Sequence, residues 1–283
     1  MLLKSYAKIN IVLNVTGKRK DGLHTLDMVM LPLELHDSLL FTRLRNKENY
    51  VTFEDFSLGG NDNNLVTKAL KALGEHVPLK DGFRVLINKN IPISAGLGGG
   101  SSNCAATLCG VNKLAKVGLC DEELREIGFK LGSDVPFFVS SVPARVQGVG
   151  DIVQPIVVKN NYYCLLVKPK EGLSTCDVYK ACDEFELKTY DVEKVIKALQ
   201  EGDDDLLAEN IGNSLEDVSI NLLPLVKEIK DEIKSLGFKI VLMSGSGSCV
   251  FALSTDRRAI KDAFNHFFEK YPDYVVEMTK VRK

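Results

Sequence analysis

The sequence predicts a mixed α/β protein with two lobes, and three observations support this fold class. Three segments alternate apolar and polar residues as strands do, at residues 9–16, 28–42 and 82–88, which excludes an all-helical fold. Segments with helical spacing of apolar residues lie between and after these strands. The chain has 283 residues with 45% hydrophobic content, which is enough material for more than one hydrophobic core.

The first half contains three predicted helices. Apolar residues recur at helical spacing over residues 64–73, where NDNN at residues 61–64 is the expected cap and Gly74 the expected stop. A buried helix rich in Ala and Leu is predicted over residues 101–115. An amphipathic helix with an acidic first turn is predicted over residues 121–131.

The second half continues the mixture of strands and helices. RVQGVGD, residues 144–150, is predicted to be a loop before another strand. The elements predicted after it are, in chain order, a strand over 162–167, helices over 192–200 and 222–236, and strands over 240–243 and 249–253 on either side of the turn SGSGS. The stretch QPIVVKNN separates two differently patterned halves, so we place the boundary near residue 157 and expect lobes at residues 1–157 and 158–283.

Charge and hydropathy exclude several classes of function. The 36 basic and 38 acidic residues give a net charge of -2, without the excess of Lys and Arg that binders of nucleic acid or anionic membranes concentrate. No stretch approaches the roughly 20 apolar residues of a membrane span. The N-terminal run MLLKSYAKINIVLNV is interrupted by Lys4, Lys8 and Asn10, unlike the apolar region of a signal peptide. We therefore expect a cytoplasmic protein that acts on a small molecule.

Cysteine and histidine spacing gives no sign of a structural metal site. The seven cysteines are odd in number and include no C-x2-C pair, so reduced thiols in a reducing compartment are expected. The four histidines are scattered without the spacing of metal ligands. We expect no metal held by the protein alone.

The strongest single feature is KNIPISAGLGGGSSNCAATL, residues 89–108. Four glycines remove every Cβ that would hold a ligand away from the start of the following helix: Gly96, Gly98, Gly99 and Gly100. Exposed amides and the helix dipole there favour phosphate without any net basic charge. Ser101 and Ser102 add hydroxyls for phosphate or its magnesium. The segment lacks the G-K-[ST] ending of a Walker A motif, and Ser101 breaks the dinucleotide pattern G-x-G-x-x-G. A flexible surface loop is the alternative interpretation.

Two charged residues are candidates for phosphoryl-transfer chemistry. Asp134, in KLGSDVPFFV, lies just before an apolar run, where a charge is costly unless it is paired or functional. Lys8 lies in a strand of otherwise apolar and small residues and is a candidate partner for it. Transfer of a γ-phosphoryl group to an alcohol needs a cation on the phosphates and commonly a carboxylate for the hydroxyl. A structural ion pair accounts for the same two residues.

Three ordered motifs resemble the GHMP kinases, which include galactokinase, homoserine kinase, mevalonate kinase and phosphomevalonate kinase. PISAGLGGGSS, residues 92–102, resembles the ATP-binding motif of that family, while SYAKINIVLNV and LMSGSGSCVFAL resemble its first and third motifs. The resemblance implies an N-terminal lobe like ribosomal protein S5, a C-terminal ferredoxin-like lobe and an active site between them. It also implies ATP, with Mg²⁺ arriving on it, bound by Pro92, Gly96, Leu97, Gly98, Gly99, Gly100, Ser101 and Ser102.

Within that family, AKINIVLNVTGKRKDGLHTL resembles the diphosphocytidyl-methylerythritol kinases, and the DGLH element distinguishes these from other members. The resemblance implies phosphorylation of the 2-hydroxyl of 4-diphosphocytidyl-2-C-methyl-D-erythritol in the non-mevalonate isoprenoid pathway, with Lys8 and Asp134 as the catalytic pair. It places His24 on the cytosine edge and Asn10 near the erythritol end. Leu23 departs from the family, which usually has a Tyr there that stacks on the pyrimidine, so weaker stacking is expected.

Two further segments are implied to meet the substrate. EGLSTCDVYKAC lines up with a substrate element of the family, which puts Thr175 near the substrate and makes Tyr179 a second aromatic wall. Ser174 or Thr175 as a helix cap is the alternative. The SGSGS turn would offer backbone amides at Gly245 and Ser246 to phosphates, and a plain hairpin is its alternative.

Two other functions remain open from the sequence. A GHMP kinase acting on homoserine or a phosphorylated mevalonate would share the loop and the charged pair but would have no use for a base-reading histidine. A ligand-sensing protein on the same fold would bind without turnover. The oligomeric state is open as well.

Overall fold

The computed structural model describes residues 1–55 and 64–283 and contains the mixture of strands and helices expected from the sequence. The strands are β1 (Leu2–Lys18), β2 (His24–Leu44), β3 (Tyr50–Phe53), β4 (Gly82–Asn88), β5 (Ala144–Gly148), β6 (Ile152–Pro155), β7 (Tyr163–Lys168), β8 (Gly212–Asn213), β9 (Ile240–Met243), β10 (Val250–Ser254) and β11 (Val275–Lys280). The helices are α1 (Leu65–His76), α2 (Gly99–Ala115), α3 (Asp121–Phe129), α4 (Val135–Ser140), α5 (Thr175–Cys182), α6 (Val192–Glu201), α7 (Asp204–Asn210), α8 (Glu216–Leu222), α9 (Leu225–Ser235) and α10 (Arg257–Lys270). In these described ranges no helix combines the length and apolar character that crossing a bilayer requires.

The chain forms two compact units, each assembled from separate stretches of sequence. The first unit contains Met1–Ala7, Leu35–Ile91 and Gly98–Ser141. The second unit contains Lys8–Glu34, Pro92–Leu97 and Val142–Lys283. The boundary that the sequence suggests near residue 157 falls inside the second unit and stays a prediction.

The first unit packs helices on a short sheet. The C-terminal part of β2 pairs antiparallel with β4, with Ser38 opposite Asn88, and β3 runs parallel to β4. Alternation along these strands buries one face, including Phe41 and Val85. Gly110 of α2 lets the helix approach this face closely, since a Cβ there would lie 3.0 Å from the Phe41 ring.

The second unit contains a four-stranded antiparallel sheet in the order β11-β7-β10-β9. The chain runs from β7 through helices to β9, turns into β10, and passes through α10 to β11. This strand order and connection are those of a ferredoxin-like fold, which confirms the arrangement implied for the C-terminal part of the chain. The sheet is built from largely buried strands, including all of β9 and its partner positions in β10.

Most predicted elements are confirmed, and two differ. RVQGVGD is not a loop, because residues 144–148 form β5 between β2 and β6, where ladder pairing outweighs the turn tendency of Gly148. The single helix predicted over residues 222–236 is two helices, because Pro224 starts α9 and α8 ends before it. Asn64 caps α1 by accepting a hydrogen bond from the Thr67 amide at 2.8 Å, whereas the predicted cap positions 61–63 lie outside the described residues.

Candidate active site

The glycine-rich segment opens α2 in the first unit. Gly98 is the residue before the helix and has a φ of +70°, a conformation that side-chain-bearing residues rarely adopt. A Cβ at Gly99 would lie 3.0 Å from Lys89 Nζ and 3.1 Å from the Ile91 side chain, so glycine keeps the helix start close to the preceding strand. Ser102 in the first turn is buried. Gly99 and Gly100 have no side chains that could block access to the first backbone amides of α2. A phosphate can therefore approach these N–H groups closely.

A carboxylate that sequence reasoning missed fixes the approach to this loop. Asp37 of β2 is fully buried and accepts hydrogen bonds from the backbone amides of Asn90 and Ile91 at 2.7 and 2.8 Å. It also pairs with the ammonium of Lys89, which is itself mostly covered. These bonds fix the position of the residues that follow β4, where the chain turns toward the glycine-rich segment. The alternation of β2 marked position 37 as buried, and a lone Asp inside an apolar strand was the available signal.

Asp134 lies in the first unit immediately before α4. It is the N-cap position, yet its carboxylate makes no capping hydrogen bond to the helix. The turn that carries it packs against the start of α2, because a Cβ at the neighbouring Gly132 would lie 3.8 Å from Ser101 Oγ. Capping of α4 therefore does not account for this half-buried carboxylate, which shares its neighbourhood with the glycine-opened helix.

Lys8 lies in the second unit on β1 and is buried. Its ammonium donates to Asn10 Oδ1 at 2.6 Å, and its backbone amide donates to the Leu97 carbonyl at 3.0 Å. Asn10 is also buried, and its amide nitrogen donates to Met28 Sδ at 3.2 Å. Asn10 is thus oriented toward Lys8 by the neighbouring strand.

The segment 92–97 meets the SGSGS turn within the second unit. The Ser244 hydroxyl donates to the Gly96 carbonyl at 3.0 Å, and a Cβ at Gly96 would lie only 2.0 Å from the Ser244 carbonyl oxygen. A Cβ at Gly245 would lie 3.0 Å from Lys8 Nζ. Two backbones and a buried ammonium therefore approach each other at a point where only glycine fits.

The SGSGS turn is a hairpin connection and also a hydrogen-bonded structure in its own right. It links β9 to β10, with Met243 opposite Val250. Asn213, which sequence reasoning missed, donates from its amide nitrogen to the Met243 and Gly245 carbonyls at 3.0 and 2.7 Å. Ser246 Oγ lies 2.9 Å from Thr175 Oγ1. The turn is held from two sides, so its amides have fixed directions.

The choice between Ser174 and Thr175 is resolved by geometry. Ser174 is the N-cap of α5, and its hydroxyl accepts from the Asp177 amide at 3.4 Å. Thr175 is the first helical residue, and its hydroxyl faces Ser246 instead.

The DGLH element forms a tight turn in the second unit between β1 and β2. Arg19 donates its backbone amide to the Leu23 carbonyl at 2.8 Å, and Gly22 has a φ of +86°. This turn leaves Leu23 46% exposed and starts β2 at His24. The His24 ring lies 5.2 Å from the Tyr179 ring, centroid to centroid. An imidazole and a phenol are thereby brought together, and the exposed Leu23 precedes the imidazole in sequence.

His24 also belongs to a cluster that the sequence did not reveal. His24 Nε2 lies 2.7 Å from Asp183 Oδ1 and 3.8 Å from Cys182 Sγ, and the three candidate ligand atoms lie within 4.8 Å of one another. Lys18 forms an ion pair with the other carboxylate oxygen of Asp183. Hydrogen bonds and charge pairing within the protein account for these groups.

The structure therefore assembles the predicted residues in three places. Lys8, Asn10, Gly96 and Gly245 meet in the second unit, with Leu97 on the Lys8 amide and Pro92 and Ser246 on the two flanking segments. His24 and Tyr179 form a separate pair in the same unit, with Leu23 adjoining His24 in sequence, and Thr175 reaches Ser246. Gly98, Gly99, Gly100, Ser101, Ser102 and Asp134 lie in the first unit. The roles assigned to all of these residues stay predictions.

Comparison with known proteins identifies the family. The model for the GHMP kinases N terminal domain matches residues 64–141, and that for GHMP kinases C terminal matches residues 195–273. A protein of Exiguobacterium sibiricum named 4-diphosphocytidyl-2-C-methyl-D-erythritol kinase is 40% identical over 94% of this chain and 93% of its own. The crystal structure of a 4-(cytidine 5'-diphospho)-2C-methyl-D-erythritol kinase is 29% identical with a TM-score of 0.83 and covers 100% of both chains. A homoserine kinase from Cytophaga hutchinsonii has a TM-score of 0.75 at 16% identity over 99% of this chain and 95% of its own, a likeness of fold alone. The chain belongs to the GHMP kinases and, within them, to the 4-diphosphocytidyl-2-C-methyl-D-erythritol kinases.

Proposed function

We propose that this protein transfers the γ-phosphoryl group of ATP to the 2-hydroxyl of 4-diphosphocytidyl-2-C-methyl-D-erythritol, a step of the methylerythritol phosphate pathway to isoprenoid precursors. The observation that carries the proposal is the buried Lys8 ammonium, oriented by Asn10 and facing the Gly245 backbone. A buried cation beside a glycine turn suits the charge that develops on a transferred phosphoryl group. The curated relative from Exiguobacterium sibiricum carries this substrate in its name.

ATP fits the glycine-opened start of α2. Gly98 and Gly99 adopt positions that a side chain would strain or fill, and the first amides of the helix are donors for phosphate oxygens. The residues assigned to ATP are Pro92, Gly96, Leu97, Gly98, Gly99, Gly100, Ser101 and Ser102. The Ser101 hydroxyl lies near the turn that carries Asp134, and hydroxyl and carboxylate oxygens are ligands that Mg²⁺ prefers. Bound Mg²⁺ would neutralise charge on the phosphates.

Lys8 and Asp134 divide the chemistry between a cation and a carboxylate. Lys8 stabilises negative charge on the transferred group, and its ammonium is directed by Asn10. Asp134 is assigned to orient the substrate hydroxyl and accept its proton, the roles that a carboxylate commonly performs in phosphoryl transfer to an alcohol.

The base end of the substrate is assigned to Leu23, His24 and Tyr179. The exposed Leu23 side chain offers apolar contact, and Tyr179 supplies the second wall, an aromatic ring, for the base. The Thr175 and Ser246 hydroxyls, paired at 2.9 Å, lie on the segments assigned to the remainder of the substrate.

The cytoplasm is the proposed place of action. All seven cysteines are free thiols, as in proteins of a reducing compartment.

Steady-state kinetics of Asp134→Asn and His24→Ala tests the function. With the cytidyl substrate, Asp134→Asn should lower kcat by about a hundredfold or more, the scale of general-base and electrostatic effects, while ATP binding persists. His24→Ala should raise KM for that substrate and leave KM for ATP unchanged. Asp81→Asn, which alters a partly exposed carboxylate paired with Arg43, is the matched control and should behave as wild type. A near-wild-type rate for Asp134→Asn refutes the assignment.

A further inference from the structure

The His24 ring contacts the C-terminal part of one helix, α5. Tyr179 and Cys182 lie on one face of α5, and Asp183 follows as its C-cap residue. Tyr179 packs its ring against the imidazole, while the Cys182 thiol and the Asp183 carboxylate both approach Nε2. Three contacts from α5 therefore fix both the position of the ring and the nitrogen that faces the protein.

The Asp183 contact determines where the His24 proton sits. An ionised carboxylate accepts hydrogen bonds and cannot donate one, so the 2.7 Å contact places a proton on Nε2. Hydrogen bonds from Lys18 first, and then from His24, hold the pKa of Asp183 below its ordinary value. Asp183 is therefore ionised at neutral pH, and Lys18 keeps its carboxylate turned toward the ring. In the neutral imidazole Nδ1 then carries the lone pair.

Nδ1 of His24 is the ring atom left for a ligand. Across residues 1–55 and 64–283 it makes no hydrogen bond, and it is not among the buried atoms that lack a partner. A lone pair at this position accepts from an N–H group. Cytosine carries an exocyclic amine, a donor, where uracil carries a carbonyl oxygen, an acceptor. A site with a fixed acceptor therefore forms a hydrogen bond with the amine of cytosine. With uracil, the same acceptor would face a carbonyl oxygen, which is also an acceptor, and no hydrogen bond could form.

We propose that Asp183 is a specificity-determining positioning residue, which directs the His24 lone pair at Nδ1 toward the amine of a cytosine base and thereby rejects uracil. The proposal rests on the proposed function, because it concerns the base of that substrate. Lys18 acts in the same direction by anchoring the Asp183 carboxylate.

The test compares kcat and KM for the diphosphocytidyl substrate and its diphosphouridyl analogue. For Asp183→Asn we expect the cytidyl-to-uridyl ratio of kcat/KM to fall about tenfold, the scale of one hydrogen bond, through KM and with kcat retained. Asp183→Glu keeps a carboxylate and should restore part of the ratio. Asp205→Asn, which changes an exposed aspartate paired with Lys239, is the matched control and should keep the wild-type ratio. Lys18→Met is a second variant should Asp183→Asn fold poorly, and we expect a smaller fall.

Nitrogen-15 NMR of His24 gives a readout that a merely structural role would not move. The wild-type ring should carry its proton on Nε2, and Asp183→Asn should populate both neutral tautomers. An unchanged ratio in folded Asp183→Asn, an equal fall in Asp205→Asn, or a wild-type proton on Nδ1 overturns the proposal. A wild-type enzyme that phosphorylates neither substrate overturns the proposed function as well, which separates the two failures.

Discussion

Replacement of Gly96 by alanine should disrupt the contact between the glycine-rich segment and the SGSGS turn. A Cβ at Gly96 would lie 2.0 Å from the Ser244 carbonyl oxygen, whereas real Cβ contacts are not shorter than 3.0 Å, so the two backbones must separate by at least 1.0 Å. The φ of +71° adds conformational strain of about 1 kcal/mol. Overpacking of this kind costs about 2 kcal/mol more, which brings the expected loss of unfolding free energy to about 3 kcal/mol.

The same displacement should reach the chemistry. The turn that must move contains Gly245, whose Cβ position lies 3.0 Å from Lys8 Nζ. A 1 Å misplacement of groups at a reacting centre can reduce the rate by about a hundredfold, so we expect kcat to fall on that scale.

Urea denaturation and steady-state kinetics measure both effects, and the chain offers a matched control. Gly237 also has a positive φ, of +93°, but a Cβ there would meet no atom of residues 1–55 or 64–283 within 4 Å. Gly237→Ala should therefore lose only the conformational part, about 1 kcal/mol, and keep wild-type activity. If Gly96→Ala and Gly237→Ala lose the same stability, or if Gly96→Ala retains wild-type kcat, the steric reasoning is wrong.

Two predictions concern stability alone. Asp37→Ala leaves the covered Lys89 ammonium and two backbone amides without their carboxylate partner. Urea denaturation should therefore give a free energy of unfolding lower by about 3 kcal/mol. An unchanged value would contradict the anchoring role of Asp37. Burial raises the pKa of Glu232, but hydrogen bonds from Lys270 and Tyr271 outweigh it and bring the pKa to about 2. Because that pKa is depressed on folding, wild type should exceed Glu232→Gln in unfolding free energy by about 1 kcal/mol at neutral pH. This difference should vanish as the pH falls from 4.5 toward 2, as measured by denaturation across that range.

Local sequence patterns were enough to predict most of the fold and the candidate phosphate-binding segment. Strand alternation located β4 with the observed ends, and the Ala-rich stretch after the run of glycines located α2, although the helix begins at Gly99, two residues before the predicted start. Both signals are contained in a few consecutive residues. RVQGVGD misled for the opposite reason, since its glycines suggested a turn while pairing with distant β2 made it a strand.

The residues that position the site were harder to predict because their partners are distant in sequence. Asp37 binds atoms of residues 52 to 54 positions away, and Asp183 meets His24 across 159 positions. Asn213 reaches the carbonyls of a turn about thirty residues later, at 30 and 32 positions. Nothing in one sequence specifies which of many Asp and Asn side chains makes such a contact, since the folded sheet brings them together.

The interleaved course of the chain limits how this enzyme can be divided. Neither compact unit is a continuous stretch, because β1 and β2 each pass from one to the other and residues 92–97 are surrounded in sequence by the first unit while belonging to the second. One proteolytic cut, or a gene split at one codon, therefore cannot separate the two units, because even a cut after residue 141, which leaves the first unit whole, divides the second unit between the two pieces. Complementation by two separately expressed pieces would have to rebuild the hydrophobic core of at least one unit from both pieces, so we expect the full chain to be the smallest piece in which both units fold.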